Sequence, residues 1–331
     1  MTTAPPVVAV APSGSDAHLE IGCAARGPAG SSCLFVPRAV AVLAVIISLS
    51  GFRFQQQDPD SALHAVIAAA LEAPELPAMA AGLIDTIGGR LSGTPSGTRA
   101  EAWAAGWLRS FGLDTVYYQV LRIPVWRRGN TYVHVVTPAI ARLRPIAAIT
   151  FGYSPGITSD SVPVVDVGRG DSASVAALGA RARGAAWLTD AISPELIRQA
   201  VDAGAAALLR VTFQAGRLPQ ARVAPWPEPP APLPLLALSR EDGLWLRRQL
   251  VGGGPVILEL RVEAETRAGT VLNVIGELKG SDPSVAHEIF IIGAHLDSWD
   301  IGDGAIDNGT GVLSTMAAVN FLHRAYASAP S

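Results

Sequence analysis

Thiols are nearly absent from this sequence. Two cysteines, Cys23 and Cys33, occur in 331 residues, and none follows residue 33. A disulfide framework or a thiolate metal site is therefore excluded from nine-tenths of the chain, and any zinc must rest on histidine and carboxylates. The G-x-S-x-G elbow of a strand-to-helix serine nucleophile is missing as well. No long basic run occurs and the net charge is −3, so nucleic-acid binding has nothing to recommend it. Charged residues amount to 16% against 49% hydrophobic, the balance of a folded chain with a real core. At 331 residues there is room for two domains.

The longest isolated apolar stretch is "AVAVLAVIISLSGF", residues 39–52, preceded by Arg38 and followed by polar "QQQDPDS". A basic residue, a dozen apolar ones and then small residues read as a signal peptide or signal anchor, so residues 1–57 form a leader and the protein is exported. The only membrane contact expected is through that segment. From Asp60 the pattern is helix, loop, helix, strand. The second helix is "EAWAAGWLRSFGL" (101–113), closed by Gly112, and the strand is 114–126. Residues 58–152 form one part. Residues 153–265 look like an insertion of short Val-rich strands, with a helix running into a strand over 193–211 and the proline run 225–238 as a surface loop leading into a strand. Residues 266–331 resume the α/β pattern, with apolar runs at 270–278 and 288–296 that suit strands buried on both faces of a sheet.

The polar constellation "HLDSWDIGDGAIDNG" stands at the end of the last of those strands, where α/β proteins place their active sites. His295 has a carboxylate two residues on, and i and i+2 of an extended segment point to one side, so Asp297 can reach the imidazole. A metal-bound histidine gives its second ring N–H to such an acceptor. Asp307 lies in a glycine-flanked turn from which a carboxylate can bend back toward His295. Imidazole plus carboxylate suits zinc, cobalt or manganese. Spacing alone leaves open a structural His–Asp hydrogen bond. It argues against a calcium loop, because Trp299 holds the third position and no Glu the twelfth.

The stretch "NVIGELKGSDPS…IIGAHLDSWDIGDGAIDNGTG", together with "IGGRLSGTPSGTRAEAWAAGWLRSFGL" upstream, resembles the zinc-dependent exopeptidases of the plasma glutamate carboxypeptidase type. The resemblance implies a partial zinc-exopeptidase α/β/α sandwich with a mixed, largely buried sheet, and a protease-associated domain at 153–265. It implies two zinc ions per site, with His295 as a terminal ligand, Asp307 as the bridging carboxylate, Asp297 orienting His295, and a cis Asp307–Asn308 peptide. Ser298, Trp299 and Asp300 would line the mouth, and small peptides or dipeptides would be the substrates.

That family also uses a Glu-Glu pair giving general base and ligand, then a further Asp and a final His. No Asp or Glu follows Asp307 here, and the one later histidine, His323, reads as an ordinary exposed residue. The sequence is therefore expected to be a C-terminally truncated and inactive metallopeptidase with an unpaired apolar sheet edge. The rival reading is a non-catalytic binding scaffold that carries a protease-associated domain.

Overall fold

The computed structural model describes residues 7–11, 67, 73–280 and 282–327. The apolar run at 39–52 lies outside them. In chain order the elements begin with β1 (Val7–Ala11), α1 (Leu76–Ala80) and α2 (Pro95–Ser110). They continue with β2 (Thr115–Thr137), β3 (Ala148–Thr150), β4 (Ile157–Asp166), α3 (Ser172–Ala176), β5 (Ala186–Thr189) and α4 (Pro194–Ala203). The rest are β6 (Ala207–Val211), β7 (Leu235–Leu238), α5 (Arg240–Val251), β8 (Ile257–Glu277), β9 (Ile291–His295) and α6 (Thr310–Ala327).

A long antiparallel ribbon of β2 and β8, 23 and 21 residues, runs through the whole fold. The sequence suggests two separate strands at the two ends of β8, because residues 263–269 are polar or small. In the structure that stretch pairs continuously with β2, from Glu265 opposite Arg127 to Gly269 opposite Ile123. A two-stranded ribbon wet on both sides needs no apolar alternation, so the strand passes through a stretch that looks like a loop.

The ribbon joins two packed regions. At its far end Val133, Val135, Leu258 and Leu260 are buried against the unit built from β3 to β7. There the strand order is β3-β7-β6-β5-β4, with β4 to β7 parallel and β3 antiparallel. Each face of this sheet has its own core, with Leu246 of α5 on one side and Leu196, Ile197 and Ala200 of α4 on the other. β7 follows the proline-rich loop, as the sequence suggests.

At the near end, α1, α2 and α6 pack Met79, Ala104, Leu108, Val312 and Met316 against Val274 of β8. Helix α2 starts at Pro95, six residues before the helical pattern becomes legible. Thr94 caps it by accepting from the Gly97 N–H at 3.2 Å, and a proline at the first helical position costs nothing. Gly112 ends it in a left-handed conformation, φ 79°.

β1 lies between β8 and β9, antiparallel to the first and parallel to the second, so residues read as leader supply a strand to the sheet. β9 closes that end of the sheet. Its apolar run is not buried on both faces as expected, since Phe290 is 75% and Ile291 68% exposed. Among the described residues β9 is the last strand in that direction of the sheet. Among the described residues no helix is long and apolar enough to cross a membrane.

A buried carboxylate locks the β3–β7 unit. Asp242 is fully buried on α5 and accepts from the Ala147 N–H, the Ser239 hydroxyl, Arg144 and Arg217 at 2.7–3.1 Å. Burial pushes its carboxyl up, but these donors together outweigh that and hold it below its usual value. A depressed folded value stabilises above the unfolded value of ~3.9 and stops doing so as pH falls through the folded one. Acid titration of the Asp242→Asn variant is thus expected to show a flatter loss of stability below about pH 4 than wild type. Parallel unfolding curves in that range would refute it.

Candidate metal centre

His295 ends β9, and the chain then turns through 296–304 before α6. Its Nδ1 faces the Asp297 Oδ1 at 3.1 Å, and its Nε2 faces the Asp307 Oδ1 at 3.1 Å. Asp297 is buried, and its other oxygen accepts from the Ser92 hydroxyl at 3.1 Å. Asp307 is 69% exposed, open to whatever enters. The Asp307–Asn308 peptide is cis, as the resemblance implies. The Asn308 amide donates to the His295 carbonyl at 3.4 Å, tying the turn back to the strand end.

A carboxylate only accepts, so whichever ring nitrogen carries a proton donates to the carboxylate it faces, Nδ1 to Asp297 or Nε2 to Asp307. With Nε2 unprotonated, it and the Asp307 oxygen 3.1 Å away are two electron-pair donors that a cation between them would satisfy. Their separation is close to that of two neighbouring ligands each about 2 Å from one zinc ion. The imidazole and carboxylate therefore fit part of a zinc site. Among the described residues no group of three or more His, Cys, Asp or Glu gathers round one point.

Sequence reasoning missed what holds the loop. Arg90, from "GGRLSG", is fully buried. It donates to the carbonyls of Leu296 (2.6 Å), Gly88 (3.1 Å), Asp303 (3.1 Å) and Gly304 (2.8 Å). Its backbone N–H also donates to the Ser298 hydroxyl. Burial pushes its guanidinium down, and the Asp297 and Asp307 charges pull against that. Gly304 has φ 62°, and a Cβ there would stand 2.4 Å from Ser298 and 2.6 Å from the Arg90 guanidinium. A lone arginine among glycines was the only signal.

Asp300 does not face His295. It makes a two-point ion pair with Arg128, at 2.8 and 3.1 Å. Arg128 also donates to the Thr150 carbonyl of β3 and lies 4.7 Å over the Trp126 ring. Asp300 thereby ties the loop to the ribbon and to the β3–β7 unit. His323 is half-buried rather than exposed, and its imidazole lies against Gly112, away from the centre.

A cavity of about 350 Å³ opens beside His295, Asp297 and Asp307, with Ser298 and Trp299 on its rim. Tyr153 enters it from the β3–β7 unit with a left-handed backbone, φ 59°. Burial and the Asp297 charge push its phenol up, so it stays protonated. A wider cleft, about 860 Å³ between Thr94, Arg127 and Glu263, touches the loop at Asp300 but does not reach His295. The smaller cavity is the one with chemistry in it.

Residues 273–329 match Peptidase family M28. Human carboxypeptidase Q is 26% identical over 253 residues, which cover 72% of this chain and 52% of the human protein. Leucine aminopeptidase 2 of Trichophyton equinum is 38% identical over 90 residues, 27% of this chain and 17% of that protein. Among solved structures, the Peptidase M28 precursor of Shewanella amazonensis SB2B superposes with a TM-score of 0.65 at 26% identity, over 82% of this chain and 65% of that one. The zinc aminopeptidase from Bacillus subtilis gives 0.60 at 24% identity, over 78% and 59%, a likeness of fold. The chain spans about half the length of the curated relatives it matches.

The mixed α/β fold, with an imidazole facing a carboxylate at a strand end, is similar to that of the M28 peptidase precursor. Over residues 273–329 the chain resembles the M28 family, and over a longer stretch carboxypeptidase Q.

Proposed function

We propose that His295 and Asp307 hold zinc, that Asp297 orients His295, and that the activity served is removal of a terminal residue from small peptides. The observation that carries this is the Nε2 of His295 facing Asp307 at 3.1 Å while its Nδ1 is held by Asp297. When bound, zinc supplies Lewis-acid polarisation of a peptide carbonyl. The chain's own residues do the rest. Asp297 keeps the proton on Nδ1, and Ser92 keeps Asp297 in place. Arg90 fixes the loop on which Asp297 rides. We read the site as a two-zinc one with Asp307 bridging, the 153–265 unit as a protease-associated insert, and the protein as exported. The names of the matched relatives, an exopeptidase of each polarity, support terminal cleavage but not a choice between termini.

Among the described residues Asp297 and Asp307 are the only carboxylates lining the cavity, and no glutamate stands there to act as general base. The 331-residue chain is accordingly expected to show no chelator-sensitive hydrolysis on a panel of dipeptides. Zinc-dependent turnover on any of them, lost with a chelator and restored by zinc, would contradict this.

A further inference from the structure

His295 is the last residue of β9, yet among the described residues β9 does not pair with β8, the strand that precedes it in the chain. It stands on the far side of β1. The five residues Val7–Ala11 run parallel to Ile291–His295, with Val7 opposite Ile291 and Ala11 opposite His295. On its other side β1 is antiparallel to β8, from Val7 opposite Glu277 to Val10 opposite Val274. Neighbouring strands lie about 4.8 Å apart, so β9 is about 10 Å from β8, beyond the reach of a backbone hydrogen bond. Among the described residues β1 is therefore the only strand that pairs with β9. Ala294 and Leu296 join the core under the helices, and Arg90 binds the Leu296 carbonyl, so one face and the end of β9 have other support. The register of the strand, and with it the point at which His295 leaves the sheet, comes from β1.

We propose that β1 is a positioning strand for the candidate metal centre, and that cleavage of the leader that carries it unfastens His295. The metal part rests on the zinc reading of His295 and Asp307; the strand part rests on register alone. β1 belongs to residues 1–57, and the apolar run 39–52 lies between it and the rest of the chain. A cut after that run leaves β1 attached by noncovalent contacts only. Once it dissociates, β9 has no strand beside it. Unpaired backbone groups are costly, and a lone strand has no fixed register. With β9 in its paired geometry for less than about a tenth of the time, apparent zinc affinity falls at least about tenfold. The full and the processed chain thus differ in metal affinity although their ligands are the same.

The test uses the full chain with a site-specific protease sequence placed in the polar stretch 55–61, purified folded, then cut and freed of its N-terminal fragment. Amide hydrogen exchange at Ile292–His295 and zinc affinity are measured before and after. Exchange there is expected to quicken at least about tenfold, while amides of β6 and β7 keep their rates, and zinc affinity falls by a similar factor. A synthetic peptide of residues 5–13 is expected to restore both. The same peptide with Val8→Pro and Ala9→Pro, which loses one N–H on each side of the strand, is expected to restore neither. Should the fragment stay bound after cutting, the full chain carrying those two substitutions serves instead and is expected to behave as the cut chain does. Unchanged exchange at β9 in either form would overturn the proposal and leave the zinc reading standing. Quickened exchange with unchanged zinc affinity would overturn it too, since His295 then keeps its place without β1. In protein that binds no zinc before or after the cut, quickened exchange confined to β9 and reversed by the peptide supports the hold of β1 on His295 and removes the zinc reading.

Discussion

Arg90→Ala is expected to lower the stability of the chain by about 4 kcal/mol or more, among the larger effects a single substitution can have. The guanidinium is fully buried and serves four carbonyls, on residues 88, 296, 303 and 304, at 2.6–3.1 Å. Each hydrogen bond to a charged donor contributes roughly 1.5–3 kcal/mol, and a buried carbonyl left without one costs its desolvation. These terms do not add fully, because the loop can relax once its peg is gone. Against a total stability of about 5–15 kcal/mol for a domain, the remainder still leaves the protein near its threshold. Arg90→Lys is expected to recover little. A single ammonium cannot present the planar fork that reaches carbonyls on both sides of the loop. The measurement is the urea midpoint, with the slope checked for constancy. A midpoint for Arg90→Ala within error of wild type would mean that the loop is held by something else.

Arg90 also marks the limit of what the sequence shows. The strand end was legible because a near-continuous apolar run stops at a histidine, and i, i+2 spacing put Asp297 beside it. The return of Asp307 was legible from the glycines around it. Arg90 was not, because a charge in a Gly/Ser loop looks solvated. Only the fold reveals that three of the four carbonyls it serves, those of Leu296, Asp303 and Gly304, belong to a loop more than 200 residues away. Tyr153 was hidden for a related reason: its place in the cavity depends on how the β3–β7 unit sits on the ribbon. The continuity of β8 was hidden by residues 263–269, whose polarity suits a two-stranded ribbon as well as it suits a loop. The position of β1 between β8 and β9 had no local sign, since "VVAVA" can pair in any sheet with room for it.

The loop from Asp297 to Gly304 is gripped from two sides. Arg90 holds its underside, and Arg128 holds Asp300 while also bonding Thr150 of the β3–β7 unit. Ser298, Trp299 and Asp300 thus divide their work. Ser298 and Trp299 border the cavity, whereas Asp300 is the link through which the two packed regions share one loop. His295, Asp297 and Asp307 are thus placed by contacts that span the fold rather than by their own segment.

Zinc affinity shows the largest functional effect expected of this chain. Chelator-treated protein titrated with zinc against a chromogenic competitor is expected to bind the ion at His295 and Asp307. Two protein ligands leave the rest of its coordination to water, so binding is expected to be weak beside that of a complete structural site. Within that weak binding the variants should fall in a fixed order. Asp297→Ala removes only the acceptor on Nδ1, and loss of such an orienting partner costs roughly 10–100-fold in affinity. His295→Ala removes the donor atom itself and is expected to exceed that range, leaving no binding above background. His323→Ala, whose imidazole lies against Gly112, should leave the titration unchanged. The order carries the argument, because Asp297 acts through His295 and cannot matter more than the residue it orients. If Asp297→Ala binds like wild type while His295→Ala does not, the 3.1 Å contact between them is structural, and the imidazole needs no help. If His295→Ala binds like wild type, the ion sits elsewhere, and the strand-end site has no claim to zinc.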